Sequence, residues 1–321
     1  MKYFEPVCAR FSLVLSVVIF QVSGCSFHSE SKSRVAHSPM IVAHRGGAAD
    51  FPENTLLAID NALRNHVDML WLTVQLSSDG VPVLYRPAEL SANTQGQGTV
   101  AEHTWGKLQK LNSGWHFKRT DEAGQRVYPY RAKAVLLPSL QQALNMIPAS
   151  TPIILDMKAL PVVPQVTAVA KILEENHAWN RVLIYSTDAA YQDAFLRYPK
   201  ARLFESRDKT RDRLANVALA ERCDPVPLPG SWVAFEYRRE FELVEKFTLG
   251  KARSVINSKP WTHKSIECFQ SKGKLNVLAI GINSDEDYRA VACLKVGAVL
   301  VDSPSKMQII KRRYEGSLKC D

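Results

Sequence analysis

The sequence predicts an α/β chain closed into a (β/α)8 TIM barrel, and three features carry that expectation. Short β-rich runs alternate with helical patterns, which calls for crossover helices and a parallel sheet. Eight such units spread over roughly 270 residues suit a closed barrel. The first strand-to-helix turn lacks a GxGxxG, which counts against an open doubly wound sheet with a dinucleotide site.

Met40–Ala43 reads as the first strand. After the turn Pro52-Glu53-Asn54-Thr55, the spacing of Leu56, Leu57, Ile59, Ala62 and Leu63 gives one apolar helix face. Met69–Leu76 is the second strand, and Asp79-Gly80 turns it into Val81–Tyr85 as a hairpin. Residues 88–134 carry no strong strand–helix unit and read as a small insertion at one end of the barrel. Pro138–Met146 is helical, Pro152–Met157 a buried strand, Val162–Glu175 helical and Val182–Tyr185 a strand. Arg202–Phe204, Trp232–Glu236, Val277–Ile282 and Ala298–Val301 complete eight strands without the hairpin arm.

The N-terminus predicts export. Lys2 and Arg10 precede the apolar run Phe11 to Val22, which is shorter than the ~20 residues a bilayer span needs and fits a signal h-region. Val22-Ser23-Gly24-Cys25 resembles a bacterial lipobox. That resemblance implies a signal peptide over 1–24, lipidation of Cys25 and, with Ser26 following, an outer-membrane lipoprotein on the periplasmic side or the surface. The rival is an ordinary cleaved signal with an incidental cysteine. Residues 25–38 read as a polar tether and 39–321 as the barrel domain.

Composition narrows the partners. The chain is 46% hydrophobic, ample for a full core, with a formal net charge of +9. Its Lys and Arg are scattered, with no zinc knuckle or aromatic RNA-binding motif, so nucleic acid is not expected. An exported compartment permits disulfides among Cys223, Cys268, Cys293 and Cys320. Their three possible full pairings stay open, and the lack of CxxC spacing counts against zinc.

Active sites of such barrels form at the C-terminal ends of the strands. His44-Arg45-Gly46 ends the first strand. A planar fork of donors beside a proton-transfer group suits a phosphate. The triplet belongs to an ordered set: PENT at 52–55, the S-x-D-G-V-P-V hairpin at 77–83, TQGQGTV at 94–100, LNSGWHF at 111–117, LPSL at 137–140, Asp156-Met157-Lys158 and VLVDSP at 299–304. With this set the chain resembles the glycerophosphodiester phosphodiesterase family, TIM-barrel relatives of the phospholipases C.

That resemblance implies hydrolysis of glycerophosphodiesters to glycerol 3-phosphate and an alcohol. It implies calcium or magnesium held by a Glu-x-Asp pair on strand two and by the Glu of a Glu-x-Lys pair on strand three, with two histidines moving protons. His44, Arg45, Glu53 and Lys158 match the family's residues, and Asp156 shortens a glutamate. Trp71 and Thr73 stand at the Glu-x-Asp pair, Arg86-Pro87 where the second histidine and its aspartate belong, and AIGIN at 279–283 where relatives often carry Trp-Thr-Val-Asn.

Residues two apart on a strand face the same side, so Trp71 and Thr73 point where the metal would sit. A hard cation wants six or more oxygens with compensating charge, and Asp156 with Glu53 is a poor cage. No cofactor is therefore expected. Arg86 cannot act as a general acid, its pKa lying above ~12.

Three readings stay open. A phosphate-binding relic would use His44, Arg45, Arg86 and Lys158 as a cationic pocket for a glycerophosphodiester or another phosphate-bearing small molecule. A metal-independent hydrolase would put Arg86 in place of the metal and need His103, His116 or His263 for the second proton. A structural or partner-binding lipoprotein would have its site plugged by Trp71. Glu236, ending its strand, is expected either at the mouth or ion-paired. Tyr185 and Ser186 are expected in core and cap roles, His263 in a surface loop, and Asp302 or Ser303 as a helix cap.

Overall fold

A computed structural model of the chain describes residues 38–320. The signal segment, Cys25 and nearly all of the tether lie outside the described residues. The barrel strands are β1 (Met40–His44), β2 (Met69–Leu76), β3 (Ile153–Met157), β4 (Val182–Tyr185), β5 (Arg202–Leu203), β6 (Trp232–Glu236), β7 (Asn276–Ile280) and β8 (Ala298–Val301). They are followed in turn by α1 (Leu56–Arg64), α2 (Leu140–Met146), α3 (Val162–Glu175), α4 (Ala189–Phe195), α5 (Arg207–Ala220), α6 (His263–Gln270), α7 (Asp285–Cys293) and α8 (Pro304–Tyr314).

All neighbouring pairs are parallel, in the order β5-β4-β3-β2-β1-β8-β7-β6. A single bridge between Phe204 and Trp232 joins the two ends. The barrel is therefore nearly closed.

Strand alternation divides the core. One set of side chains, including Val42, Met69, Trp71, Ile154, Leu183, Tyr185, Phe204, Leu278 and Leu300, fills the barrel interior. The alternate residues pack outward against the helices in two larger clusters. Ser, Thr or Asp caps close the exposed N–H groups of six helices: Thr55, Ser139, Asp188, Thr262, Ser284 and Ser303. Ser303 is thus the cap expected near the last strand. Asp302 is not, and its role lies in the site.

The β2 arm pairs antiparallel with Pro82–Leu84. Because β3 occupies the other edge of β2, this arm returns on the β1 side, where β1 has ended. Residues 88–134 hold short helical turns and a two-residue-per-strand hairpin, with a small core of their own around Tyr85, Leu90, Val100 and Leu108. The loop between β6 and α6 contains an antiparallel ribbon, Arg239–Phe247 paired with Gly250–Ser258, that the sequence reading did not anticipate. His263 opens α6 instead of lying in a loop.

The cysteines pair as Cys223–Cys268 and Cys293–Cys320. The first ties the chain after α5 to α6, and the second ties the end of α7 to the C-terminal tail. Each closes a loop of tens of residues. Replacing either pair by serine is expected to cost about 2–4 kcal/mol, read as a lower midpoint in urea unfolding.

Candidate functional site

The mouth is organised by the turn after β1. Arg45, Gly46 and Gly47 all have positive φ. At Gly47 a Cβ would come within 2.9 Å of Pro304, so the backbone passes too close to the start of α8 for any side chain. This tight path sets His44 and Arg45 side by side at the end of β1.

His44 Nδ1 is 2.6 Å from Asp302 Oδ1, at the end of β8. Asn283 holds that carboxylate from the other side, donating from Nδ2 to Oδ2 at 2.6 Å and accepting the Asp302 N–H at 2.8 Å. The bond to His44 is the main reason the Asp302 carboxyl lies below the usual carboxylate range. A carboxylate on Nδ1 fixes the ring and leaves Nε2 as the nitrogen available to exchange a proton. Asp302 therefore positions His44, while of the two cap candidates Ser303 takes that role.

Arg45 Nη1 donates to Glu53 Oε2 at 2.5 Å, and Asn93 from the insertion donates to Glu53 Oε1 at 3.1 Å. Asn54, itself left-handed, binds its N–H to the Arg45 carbonyl and accepts the Thr73 N–H through Oδ1 at 2.9 Å. The PENT turn thus couples Arg45 directly to the middle of β2.

On β2, Trp71 and Thr73 both point into the barrel. Trp71 is 3% exposed, tilted against Tyr185 at 4.6 Å between centroids and edge-on to His44 at 6.4 Å. Asp156 on β3 is bound by Lys158 Nζ at 2.7 Å, and Lys158 also reaches Thr187 Oγ1 at 3.3 Å. Burial pushes the Asp156 carboxyl up, opposed by Lys158, His44 and the indole N–H of Trp71. Four buried polar atoms on these adjoining segments lack a hydrogen-bond partner: Arg45 Nε, Asn54 Nδ2, Trp71 Nε1 and Thr73 Oγ1. Trp71 Nε1 is directed toward Asp156 but falls short of bonding geometry.

Glu236 ends β6 and is ion-paired, as one of its two expected roles had it. Arg207 at the start of α5 grips both of its oxygens at 2.5 and 2.6 Å, with Arg239 at 3.4 Å. Arg86 follows Tyr85, whose N–H bonds the Thr73 carbonyl at 3.1 Å. This delivers Arg86 to the rim beside β2, exposed and with no ion pair among the described residues. Tyr185 is buried against Trp71 and keeps its core role, whereas the helix cap is Asp188, and Ser186 braces the turn before it by donating to the Met157 carbonyl and accepting the Asp188 N–H.

Of the three candidate histidines, His103 binds the Gln97 carbonyl and His263 sits on α6. His116 instead lines a cleft of about 320 Å³ shared with Glu53, Asn93, Ser113 and Lys118. Among the described residues no group of three or more His, Cys, Asp or Glu side chains is placed to hold a metal ion.

Sequence reasoning missed Asp302 as the partner of His44, and it missed Arg207, Asn54, Asn93 and Thr187. Asn54 and Asp302 had a signal, since PENT and VLVDSP include them. The others come from segments far apart in the chain.

The model of the glycerophosphoryl diester phosphodiesterase family matches residues 44–306. The chain belongs to that family. It is 46% identical over 270 residues to an uncharacterized Mycobacterium tuberculosis protein, Rv2277c, covering 84% of this chain and 89% of that one. The crystal structure of the glycerophosphoryl diester phosphodiesterase domain of the same protein superposes with a TM-score of 0.79 at 44% identity, covering 85% of this chain and 98% of the other. An Oleispira antarctica phosphodiesterase in complex with sn-glycerol-3-phosphate shares the fold, with a TM-score of 0.61 at 19% identity over 85% of this chain and 96% of that one. The β1 turn, the PENT helix start, the β2 arm and the closing β8 turn all fall within the matched residues of this phosphodiesterase family.

Proposed function

We propose that this family member binds the phosphate of a glycerophosphodiester, or of its product glycerol 3-phosphate, at the barrel mouth through Arg45, Lys158 and Arg86, without a divalent cation. Turnover is lost or weak. The observation that carries this reading is the donor inventory on β1, the PENT turn and β2. Trp71 and Thr73 bring no anionic oxygen to the place where the family holds calcium or magnesium. Asp156 is already taken by Lys158 and Glu53 by Arg45. Arg45 and Lys158 carry further N–H groups beyond those bonds, and the oxygens of an anion suit them. This donor set does not fit a hard dication. Arg86 at the rim adds a cation facing solvent.

A second reading, metal-independent hydrolysis, is favoured by one observation. The His44–Asp302–Asn283 chain keeps a proton-transfer geometry that phosphate binding alone does not require. In that case His44 Nε2 exchanges the proton, Arg45 and Arg86 offset charge on the phosphoryl oxygens, and His116, which lines the adjoining cleft, is the candidate for the second proton. The third reading, a structural lipoprotein, draws on the burial of Trp71 in the interior.

An assay of the purified protein on glycerophosphocholine, with and without EDTA, separates these. The first reading expects no product above background in either condition. It also expects Arg45→Ala to weaken glycerol 3-phosphate binding about 10- to 100-fold, the loss of a charge-assisted bond, measured by titration calorimetry. Product in EDTA that His44→Ala abolishes would establish the second reading instead. No binding at all would leave the structural one.

We also propose that the mature chain begins at a lipidated Cys25 and is held in the bacterial outer membrane. The residues before Cys25 and the serine after it support this. Cys25→Ser is expected to abolish incorporation of labelled palmitate and release the protein to the soluble fraction. Unchanged labelling would remove the anchor from the account.

A further inference from the structure

We propose that the ribbon Arg239–Ser258 is a docking arm that seats the barrel mouth on an anionic phospholipid surface. It leaves the barrel three residues after Glu236, in the loop that follows β6, so it springs from the same end as His44 and Arg45. Its nine pairs run from Arg239↔Ser258 to Phe247↔Gly250. Eight steps at ~3.3 Å each carry the tip roughly 26 Å from its root.

The register divides the ribbon into two faces, since alternate residues share a side. One face carries Phe241, Leu243, Glu245, Phe247, Ala252 and Ile256, and the other carries Glu240, Glu242, Val244, Lys246, Lys251, Arg253 and Val255. At the root, Phe241 stacks on Phe235 at 6.5 Å and is covered by the barrel. Along the first strand exposure then rises outward: Leu243 is 45% exposed, Phe247 61% and Leu249, in the turn, 99%, while Val255 on the partner strand is 63% exposed. An apolar side chain left wholly in water at the extreme end of an arm contributes nothing to the fold.

Charge chooses the occupant. The acids Glu240 and Glu242 lie toward the root, where Glu242 is paired with Arg253 at 2.8 Å, and Glu245 is the last acid before the tip. From Lys246 to Lys251 the tip reads Lys-Phe-Thr-Leu-Gly-Lys, with two cations and no acid. A bulky apolar pair flanked by lysines fits the boundary of a bilayer, with the rings and branched chains among the acyl groups and the ammonium groups at anionic headgroups. A second copy of the chain would cover the exposed Leu243, Val255 and Ile256 as well, but with its own net charge of +9 it offers Lys246 and Lys251 less than an anionic bilayer does. The arm does not depend on whether the site turns over.

The test reads the tip itself, because the N-terminal segment could bring the full chain to a vesicle unaided. Hydrogen exchange is followed at the Thr248, Leu249 and Gly250 amides of the full chain. It is measured without lipid, with phosphatidylcholine vesicles, and with vesicles of phosphatidylglycerol and phosphatidylcholine. Exchange slowed about tenfold or more only by the anionic vesicles is expected. Added salt, Lys246→Glu with Lys251→Glu, or Phe247→Ser with Leu249→Ser should each reverse it. Protection along Glu240–Asn257 in the same data shows that the ribbon stays paired in each variant. Tip exchange indifferent to anionic vesicles would overturn the proposal. So would protection that grows with protein concentration in the absence of lipid, which would mean a second copy covers the tip.

Discussion

Replacing Lys158 by methionine is expected to cost the fold about 3–5 kcal/mol at neutral pH, the usual penalty for stripping the partner from a buried charge. Among the described residues Lys158 is the one cation bonded to Asp156, whose side chain is 8% exposed. Burial already raises the Asp156 carboxyl, and the variant would raise it further. A carboxyl whose folded pKa stands above its unfolded one binds the proton more tightly when folded. The deficit should therefore be full above the variant's folded pKa and shrink as pH falls through it toward the lower folded pKa of the parent protein. Urea unfolding of both proteins across the acid range checks this, and Lys158→Arg, which keeps the charge, should recover most of the loss. A deficit that is independent of pH would mean that the lysine acts by packing alone.

Trp71→Ala is expected to lose about 3–5 kcal/mol, because the indole fills the barrel interior and little around it can collapse into the space. Its neighbours Tyr185 and Phe204 come from β4 and from the single bridge joining β5 to β6. Thermal unfolding should show the loss, with Trp71→Phe intermediate. The same variant bears on the site. If anionic donors are what a metal would lack there, opening the space should not create calcium binding, and calorimetry at low temperature, where the variant stays folded, should show none. Calcium binding by Trp71→Ala would mean that the indole's bulk, rather than missing charge, keeps a cation out.

How much of this was legible depended on the range of the signal. The eight strands were readable because runs such as PIILDM and VLIY are locally apolar and bounded by turn residues, and because motifs from HRG to VLVDSP kept their order. The pairing of Asp302 with His44 spans 258 residues, and an aspartate before Ser-Pro looks locally like a cap. Only closure of β1 against β8 brings the two together. Arg207 opens a helix crowded with charge, Arg-Asp-Lys-Thr-Arg-Asp-Arg, where nothing marks one arginine as the partner of Glu236. The ribbon after β6 escaped because its turn, Thr248-Leu249, lacks the Asn-Gly or Asp-Gly signal. The alternation of acids with hydrophobics over Glu240–Leu243 is a strand signal, but it breaks at Val244 and is too short to stand alone. The disulfides needed the positions of four segments that sequence spacing does not supply.

The account rests on anion recognition by protein donors at a mouth where the family uses a dication. Titrating sn-glycerol 3-phosphate into the purified chain, first in EDTA and then in excess calcium, tests this most directly. Saturable binding of equal affinity in both conditions, weakened by Arg45→Ala, is the predicted result. Binding that appears only when calcium is added would contradict it and return the protein to the metal-dependent chemistry of its family.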